Sequence, residues 1–372
     1  MIWRNCRLGD VLTLKRGHDL PGDTRIDGDI PVVSSSGITG YHNEAKAKAP
    51  GVVTGRYGTL GEVFYLDQDY WPLNTALYVI DFKETHPRFA AYFLKNVLRH
   101  YQSDKAAVPG VDRNVLHEIR VSIPDTESQE KIAAVLSSYD GLVENNMRRI
   151  KLLEESAKLL YNEWFVSLRF PGYEHTRTVK GVPEGWDGVD LGDVCDEIRE
   201  MVAPQEVDPE TPYIGLEHMP RRSITLSTWG KAEEVTSSKH KFREGDILFG
   251  RIRPYFHKVG LALVDGVASS DAIILRPKEK RLASLLLLVV SSDRFVAEAS
   301  QKMKEGSKMP RADWKIMQEY AIALPPHALL DTLNSYVCPI TQQLKLLTME
   351  NRRLKDARDI LLPKLMNGEM EA

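Results

Sequence analysis

Between Thr126 and Phe165 the positions Ile132, Leu136, Tyr139, Val143, Asn146, Ile150, Leu153, Ala157, Leu160 and Trp164 follow one another in alternating steps of four and three. Sustained for about five heptads, this spacing predicts a long helix with one continuous seam. Moving 201 residues along the chain finds Leu333, Val337, Ile340, Leu344, Leu347, Asn351, Leu354, Arg358, Leu361 and Leu365, a second seam in the same phase. Two matching seams in one chain are most simply paired with each other. The first helix must lead from one globule to the next, so a second helix lying along it returns antiparallel. At ~1.5 Å per residue, forty residues make a rod on the order of 60 Å long, enough to hold two globules apart. Asn146 and Asn351 are polar seam positions of the kind that set register. Pro339 is expected to kink the second helix or to mark where its regular part begins, and Pro363 to fray its last turn.

The segments ahead of the seams also repeat. Leu8-Gly9-Asp10-Val11 returns as Leu191-Gly192-Asp193-Val194, and Val121-Ser122-Ile123-Pro124 returns as Ile322-Ala323-Leu324-Pro325. A single period of that length is far beyond solenoid units of roughly 20 to 50 residues, so the chain is a duplicated two-part module. The fold class expected is α+β: two similar mixed α/β globules and two long helices forming an intramolecular antiparallel coiled coil, pseudo-twofold and near-circular. The boundaries expected are a globule over 1–125, a helix over 126–168, a linker over 169–184, a second globule over 185–326 and a second helix over 327–368. Within the globules, Arg88 to Gln102 and Leu282 to Lys302 read as helices, with Phe89, Phe93, Leu94, Val97 and Leu98 facing a core.

Composition narrows the class. With 42% hydrophobic and 27% charged residues the chain of 372 is an ordinary globular mixture,. Its longest apolar run, Leu285 to Val290, falls far short of the roughly 20 residues that span a bilayer,, and a cytoplasmic protein is expected. Cys6, Cys195 and Cys338 form no C-x-x-C pair, so buried free thiols are expected rather than a disulfide framework or a zinc site,. A net charge of −3 is not that of a generally basic nucleic-acid protein,. Basic residues are nevertheless clustered locally: Lys239, Lys241, Arg243, Arg251, Arg253 and Lys258 stand against two acids.

The clusters sit on glycine-rich segments. Gly51-Val52-Val53-Thr54-Gly55-Arg56-Tyr57 followed by Gly61-Glu62-Val63-Phe64-Tyr65 reads as strand, turn, strand, and Gly245 to Gly260 reads the same way in the second copy,. Each carries Gly-Arg with an aromatic soon after. Such an arginine can make two hydrogen bonds to guanine; equally, it can be solvated on a plain hairpin whose glycines satisfy turn geometry. A small basic turn follows in each copy, with Arg113 in the first and Ser307, Lys308 and Arg311 in the second, suited to phosphate contacts,. Ser34-Ser35-Ser36-Gly37 reads as a flexible polar loop. The candidate DNA-contacting residues are Ser35, Ser36, Thr54, Arg56, Tyr57, Arg113, Arg251, Arg253, Tyr255, His257, Lys258, Lys308 and Arg311.

Catalytic signatures are missing: the sequence contains no G-x-x-x-x-G-K-[ST], no H-E-x-x-H and no G-x-S-x-G,. Leu324-Pro325-Pro326-His327 lacks the amide and aromatic residues with which adenine methyltransferases handle a flipped base. Neither a catalytic residue, a metal site nor a cofactor site is therefore expected. Two other classes fit the residues less well: a protein-interaction scaffold, and a nuclease built on Asp29 with Glu44-x-Lys46.

The duplicated globules, each ending in an apolar-Pro motif and a heptad helix, together with "VTGRYGTLGEV", "YIGLEHM", "GDILFGRIRPY" and "GSKMPRADW", make the whole chain resemble the specificity subunit of type I restriction-modification enzymes. One departure is that Gln129 after the first Pro motif is matched by Leu330 in the second. The resemblance implies a non-catalytic subunit whose globules each read one half of a split, asymmetric site on double-stranded DNA. It also implies paired helices that dock two methyltransferase subunits and, through them, restriction subunits. S-adenosylmethionine, ATP and magnesium would then belong to those partners.

Overall fold

The computed structural model describes residues 2–57, 61–99, 110–179, 181–301 and 310–372. It divides into two units: Met1–Val143 with Arg352–Ala372, and Glu144–Asn351. No helix among the described residues is long and apolar enough to cross a membrane.

In the first unit the strand Trp3–Arg7 pairs antiparallel with Arg120–Pro124, Trp3 opposite Pro124 and Arg7 opposite Arg120. The repeated Leu-Gly-Asp-Val then folds as a single helical turn, Leu8–Val11. Leu8 and Val11 are buried, and the Asp10 carboxylate accepts the Arg7 N–H at 2.8 Å. At Gly9 the turn packs closely on His117, whose Cβ would lie 3.0 Å from an added Cβ. A four-stranded antiparallel sheet follows, in the order Thr13–Arg16, Ala76–Asp81, Gly51–Gly55, Val63–Leu66. The helix Pro87–Arg99 packs on it through Phe89, Phe93, Leu94 and Leu98, with the rings of Phe89 and Phe93 stacked 5.5 Å apart.

The second unit repeats this plan. Asp187–Asp190 pairs antiparallel with Ala321–Leu324. Leu191–Val194 forms the same buried turn, its Asp193 accepting the Asp190 N–H at 3.0 Å. The sheet runs Cys195–Ile198, Ala272–Pro277, Ile247–Gly250, Val259–Leu261, matching the first in order and direction. The helix expected over Leu282 to Lys302 is instead two, Ala283–Val290 and Asp293–Gln301. The two serines between them cause the break: Ser291 Oγ donates back to the Leu287 carbonyl, and Ser292 Oγ caps the next helix by accepting the Phe295 N–H at 3.2 Å,.

The two heptad segments are helical over Thr126–Tyr161, continued by a π-helical turn Asn162–Val166, and over His327–Met366. In the first unit, Ile132 and Leu136 share a core with Leu362, Leu365 and Met366, and Asp140 binds Arg358, an arginine standing in a seam position. In the second unit, Asn146 Nδ2 donates to Glu350 at 3.1 Å, while Ala157, Tyr161 and Trp164 meet Leu330, Leu333 and Val337. Within each unit the partner number falls as the first rises, so the pairing is antiparallel. Leu152 and Leu159, off the seam, are 62% and 64% exposed. The seam is thus selected by phase rather than by apolar content.

Two expectations need correction. The second helix begins twelve residues before Pro339 and runs on through Pro363. Burial of Leu333 and Val337 before Pro339, and of Leu344 and Leu347 after it, holds the helix together across the missing N–H,. Cys195 is buried as expected, but Cys6 is half-buried and Cys338 lies on an exposed helical face.

Two outcomes follow. Pro339→Ala restores a helical hydrogen bond and should raise the urea midpoint, corresponding to about 1 to 3 kcal/mol; an unchanged or lower midpoint would show that the helix is already relaxed around the proline. Asp125 caps the first long helix, accepting the N–H groups of Ser128 and Ile2, and these bonds lower its pKa from 3.8 to about 2. Because the folded value is depressed, its contribution to stability is present above the ordinary carboxylate range and is lost as pH falls through about 2,. Acid titration of Asp125→Asn should show a shallower loss of stability between about pH 4 and pH 2 than the parent chain.

Candidate nucleic-acid interface

In the first unit the Gly51–Gly55 strand is buried along its whole length, and Thr54 is fully enclosed, its hydroxyl donating to the Glu62 carbonyl at 2.8 Å. Thr54 therefore supports the hairpin and has no surface to offer a ligand. Beyond Gly55 the backbone turns outward. The Arg56 N–H donates to the Thr75 carbonyl, the Arg56 carbonyl accepts the Val111 N–H, and Tyr57 bridges Gly110. Gly110 lets the Tyr57 ring lie close against the backbone, since an added Cβ would be 2.8 Å from that ring and would displace it. This bridge joins the Gly-Arg segment to the basic turn more than fifty residues later. A cleft of 310 Å³ results, lined by Arg16, Arg56, Tyr57, Asp112 and Arg113. The Arg56 guanidinium lies over the Tyr57 ring at 4.6 Å, an arrangement that holds a long side chain in place.

The second unit makes the same bridge with different side chains. The Arg251 N–H donates to the Asp271 carbonyl at 2.7 Å, its carbonyl accepts the Ala312 N–H at 2.8 Å, and Ile252 bridges Arg311. Arg251 Nε also donates to the Ala312 carbonyl at 3.0 Å, so the side chain clamps the turn. Arg253, in a left-handed conformation at φ 49°, starts the short turn Pro254–Phe256 and is exposed, as is Tyr255 at 52%. The Arg221 guanidinium stacks on Phe256 at 4.0 Å. Arg311 is exposed and 3.4 Å from Asp271.

Two other candidates in this loop are committed inward. His257 is buried, with Nε2 2.9 Å from the Ser291 carbonyl and Nδ1 3.4 Å from Asp293. Burial pushes its pKa below the ordinary imidazole value, so it does not present a cation to the surface. Lys258 Nζ donates to the Leu216 carbonyl at 2.5 Å. The loop is seated by Asp246, immediately before the Ile247–Gly250 strand. Its buried carboxylate receives Arg276 Nε and Nη2, both at 2.7 Å, and the Arg243 N–H at 2.8 Å.

The bridges gather Arg56, Tyr57 and Arg113 in one unit and Arg251, Arg253, Tyr255 and Arg311 in the other. Ser35 and Ser36 stand elsewhere, in a tight turn between Ile30–Ser34 and Gly37–His42 where Ser34 Oγ lies 3.0 Å from Ser36 Oγ. That turn is ordered by its own hydrogen bonds rather than being an open loop. Lys308 lies outside the described residues. Arg16 and Arg221 escaped the sequence reading. For Arg16 a signal existed: it follows Leu-Gly-Asp-Val at the same spacing as Arg199 in the second copy. Among the described residues, no group of three or more histidine, cysteine, aspartate or glutamate side chains is arranged to hold a metal.

Comparison with known proteins agrees with this duplicated plan. The family described as "Type I restriction modification DNA specificity domain" matches residues 2–155 and 183–329. The type I restriction enzyme MjaIX specificity subunit of Methanocaldococcus jannaschii is 25% identical over 288 residues, 72% of this chain and 64% of that protein. This chain thus spans about two thirds of that relative's length. The EcoDI specificity subunit of Escherichia coli is 20% identical over 100% of this chain and 89% of its own. The crystal structure of a type I restriction-modification S subunit from M. genitalium superposes with a TM-score of 0.62, at 17% identity, covering 98% of this chain and 96% of that one.

The seat of the second loop can be tested directly. Asp246→Ala leaves Arg276 without its buried partner and should destabilise the chain by about 3 kcal/mol, read as a lower urea midpoint. A change below about 0.5 kcal/mol, the scale of an ordinary surface substitution, would mean that the loop is seated by other contacts.

Proposed function

The chain belongs to the type I restriction-modification DNA specificity family, a family of DNA recognition rather than catalysis, and from that premise we propose what it recognises and with what it works. Each unit reads one short half-site on double-stranded DNA, the two half-sites flanking an unspecified gap. The observation that carries this reading is the repeated bridge: the same strand end meets the same basic turn in both units, with Arg56 and Tyr57 at one and Arg253 and Tyr255 at the other. Because the side chains differ, the half-sites differ in base sequence. The paired helices dock two methyltransferase subunits, and further restriction subunits join through these. S-adenosylmethionine, ATP and magnesium are bound by those partners, in the cytoplasm, and this chain supplies the address.

Selection from a random duplex library by the chain co-expressed with its methyltransferase subunits tests the reading. Enrichment of a split, asymmetric motif with a fixed gap is expected; a well-folded complex that enriches nothing would transfer the duplication to protein assembly. In the same assay Arg253→Ala should weaken target binding by about 1 to 3 kcal/mol and relax one base position.

A further inference from the structure

The bridge superimposes the two units residue on residue, and the comparison separates what they do with the same positions. Val111 and Ala312 both donate to the bridging arginine, Arg56 or Arg251. Asp112 and Asp313 both cap a short helix by accepting the N–H two residues on. The residue after each cap is therefore equivalent: exposed Arg113 in one unit and buried Trp314 in the other. The outer strands align likewise, because Lys15 opposes Tyr78 and Ile198 opposes Ile274 at the same step of the sheet. Arg16 is thus equivalent to Arg199.

At these three positions the second unit is internally satisfied. Arg199 is paired with Glu197 at 2.6 Å, Arg251 is bonded to the Ala312 carbonyl, and Trp314 belongs to the core. In the first unit Arg16, Arg56 and Arg113 line one cleft. Among the described residues none of the three has an ion pair or a side-chain hydrogen bond, the only specific contact being that of Arg56 with the Tyr57 ring. One acid, Asp112, also lines the cleft; its Oδ1 accepts the Asn114 N–H, and its single charge offsets only one of the three arginines. Three arginines against one acid leave the cleft with an excess of positive charge, and the arrangement becomes favourable when an anion enters. A guanine edge offers O6 and N7, which one arginine fork already satisfies. Only an anionic group with several acceptor lone pairs uses three forks at once.

We propose that the Arg16–Arg56–Arg113 cleft of the first unit holds a backbone phosphate of the bound DNA, and that the equivalent position of the second unit holds none. Arg16 is then a positioning contact that sets the first unit on the duplex, while the second unit exposes Arg253 and an Arg311 already paired with Asp271. This rests on the DNA-recognition reading above and adds the chemistry of one site within it.

The test uses the complete complex with its methyltransferase subunits, measuring affinity for the selected duplex and for a scrambled one between about 50 and 200 mM salt. Arg16→Ala should weaken both duplexes by the same factor, on the order of fivefold at low salt, and lower the log–log salt slope by up to about 0.9, the value for losing one phosphate contact completely. Arg16→Lys should retain the slope, and Arg199→Ala should leave it unchanged. A slope untouched by Arg16→Ala in a complex that still selects its target, or a loss confined to one base pair, would overturn the phosphate site while leaving the recognition reading standing. A parent complex whose DNA binding does not respond to salt would bring down the recognition reading and the site together.

Discussion

Both units depend on the antiparallel pairing of their first strand with the strand that leads into a long helix. Trp3–Arg7 finds Arg120–Pro124 across more than a hundred residues, and Asp187–Asp190 finds Ala321–Leu324 in the same way. That closure delivers the chain directly to the helix start, where Asp125 receives N–H groups from Ile2 and from Ser128. It also fixes the small helical turns of Leu8–Val11 and Leu191–Val194, whose first N–H groups donate to the Ile119 and Tyr320 carbonyls. Without it, the strand end carrying Arg56 or Arg251 has no reason to meet the basic turn that precedes the closing strand.

The second consequence is how much chemical variation one backbone tolerates. The bridging hydrogen bonds run from main chain to main chain, so they constrain the position of the loop and leave its side chains open. In one unit the arginines at the bridge face a cleft; in the other the same positions are an ion pair, a clamp and a core tryptophan. The proposed reading of two unequal half-sites needs this separation of scaffold from surface.

The seams and the glycine-rich hairpins were legible because each rests on local periodicity or on turn residues, whereas Leu-Gly-Asp-Val was visible only as a repeat and not as a helical turn. The break at Ser291 and Ser292 was not, since apolar residues continue through Leu288, Val289 and Val290 and the serine hydroxyls decide the matter through bonds to nearby backbone. Pro339 misled in the opposite direction: its local penalty was plain, whereas the burial on both sides that outweighs it comes from residues far away in the chain. Thr54 and His257 looked like loop candidates because burial has no signature in so short a motif.

The chain by itself determined the duplication, the two helices and their phase, and the presence of an arginine at the end of a glycine-framed strand in each copy. Those follow from spacing along the backbone. Which arginines are available to a ligand was decided only in the folded units. Arg16 reaches its cleft from another strand, and Arg251 turns to a carbonyl sixty-one residues away. A charge is free or committed according to what lies within a few ångströms of it, and that neighbourhood is assembled by pairings that no local pattern encodes.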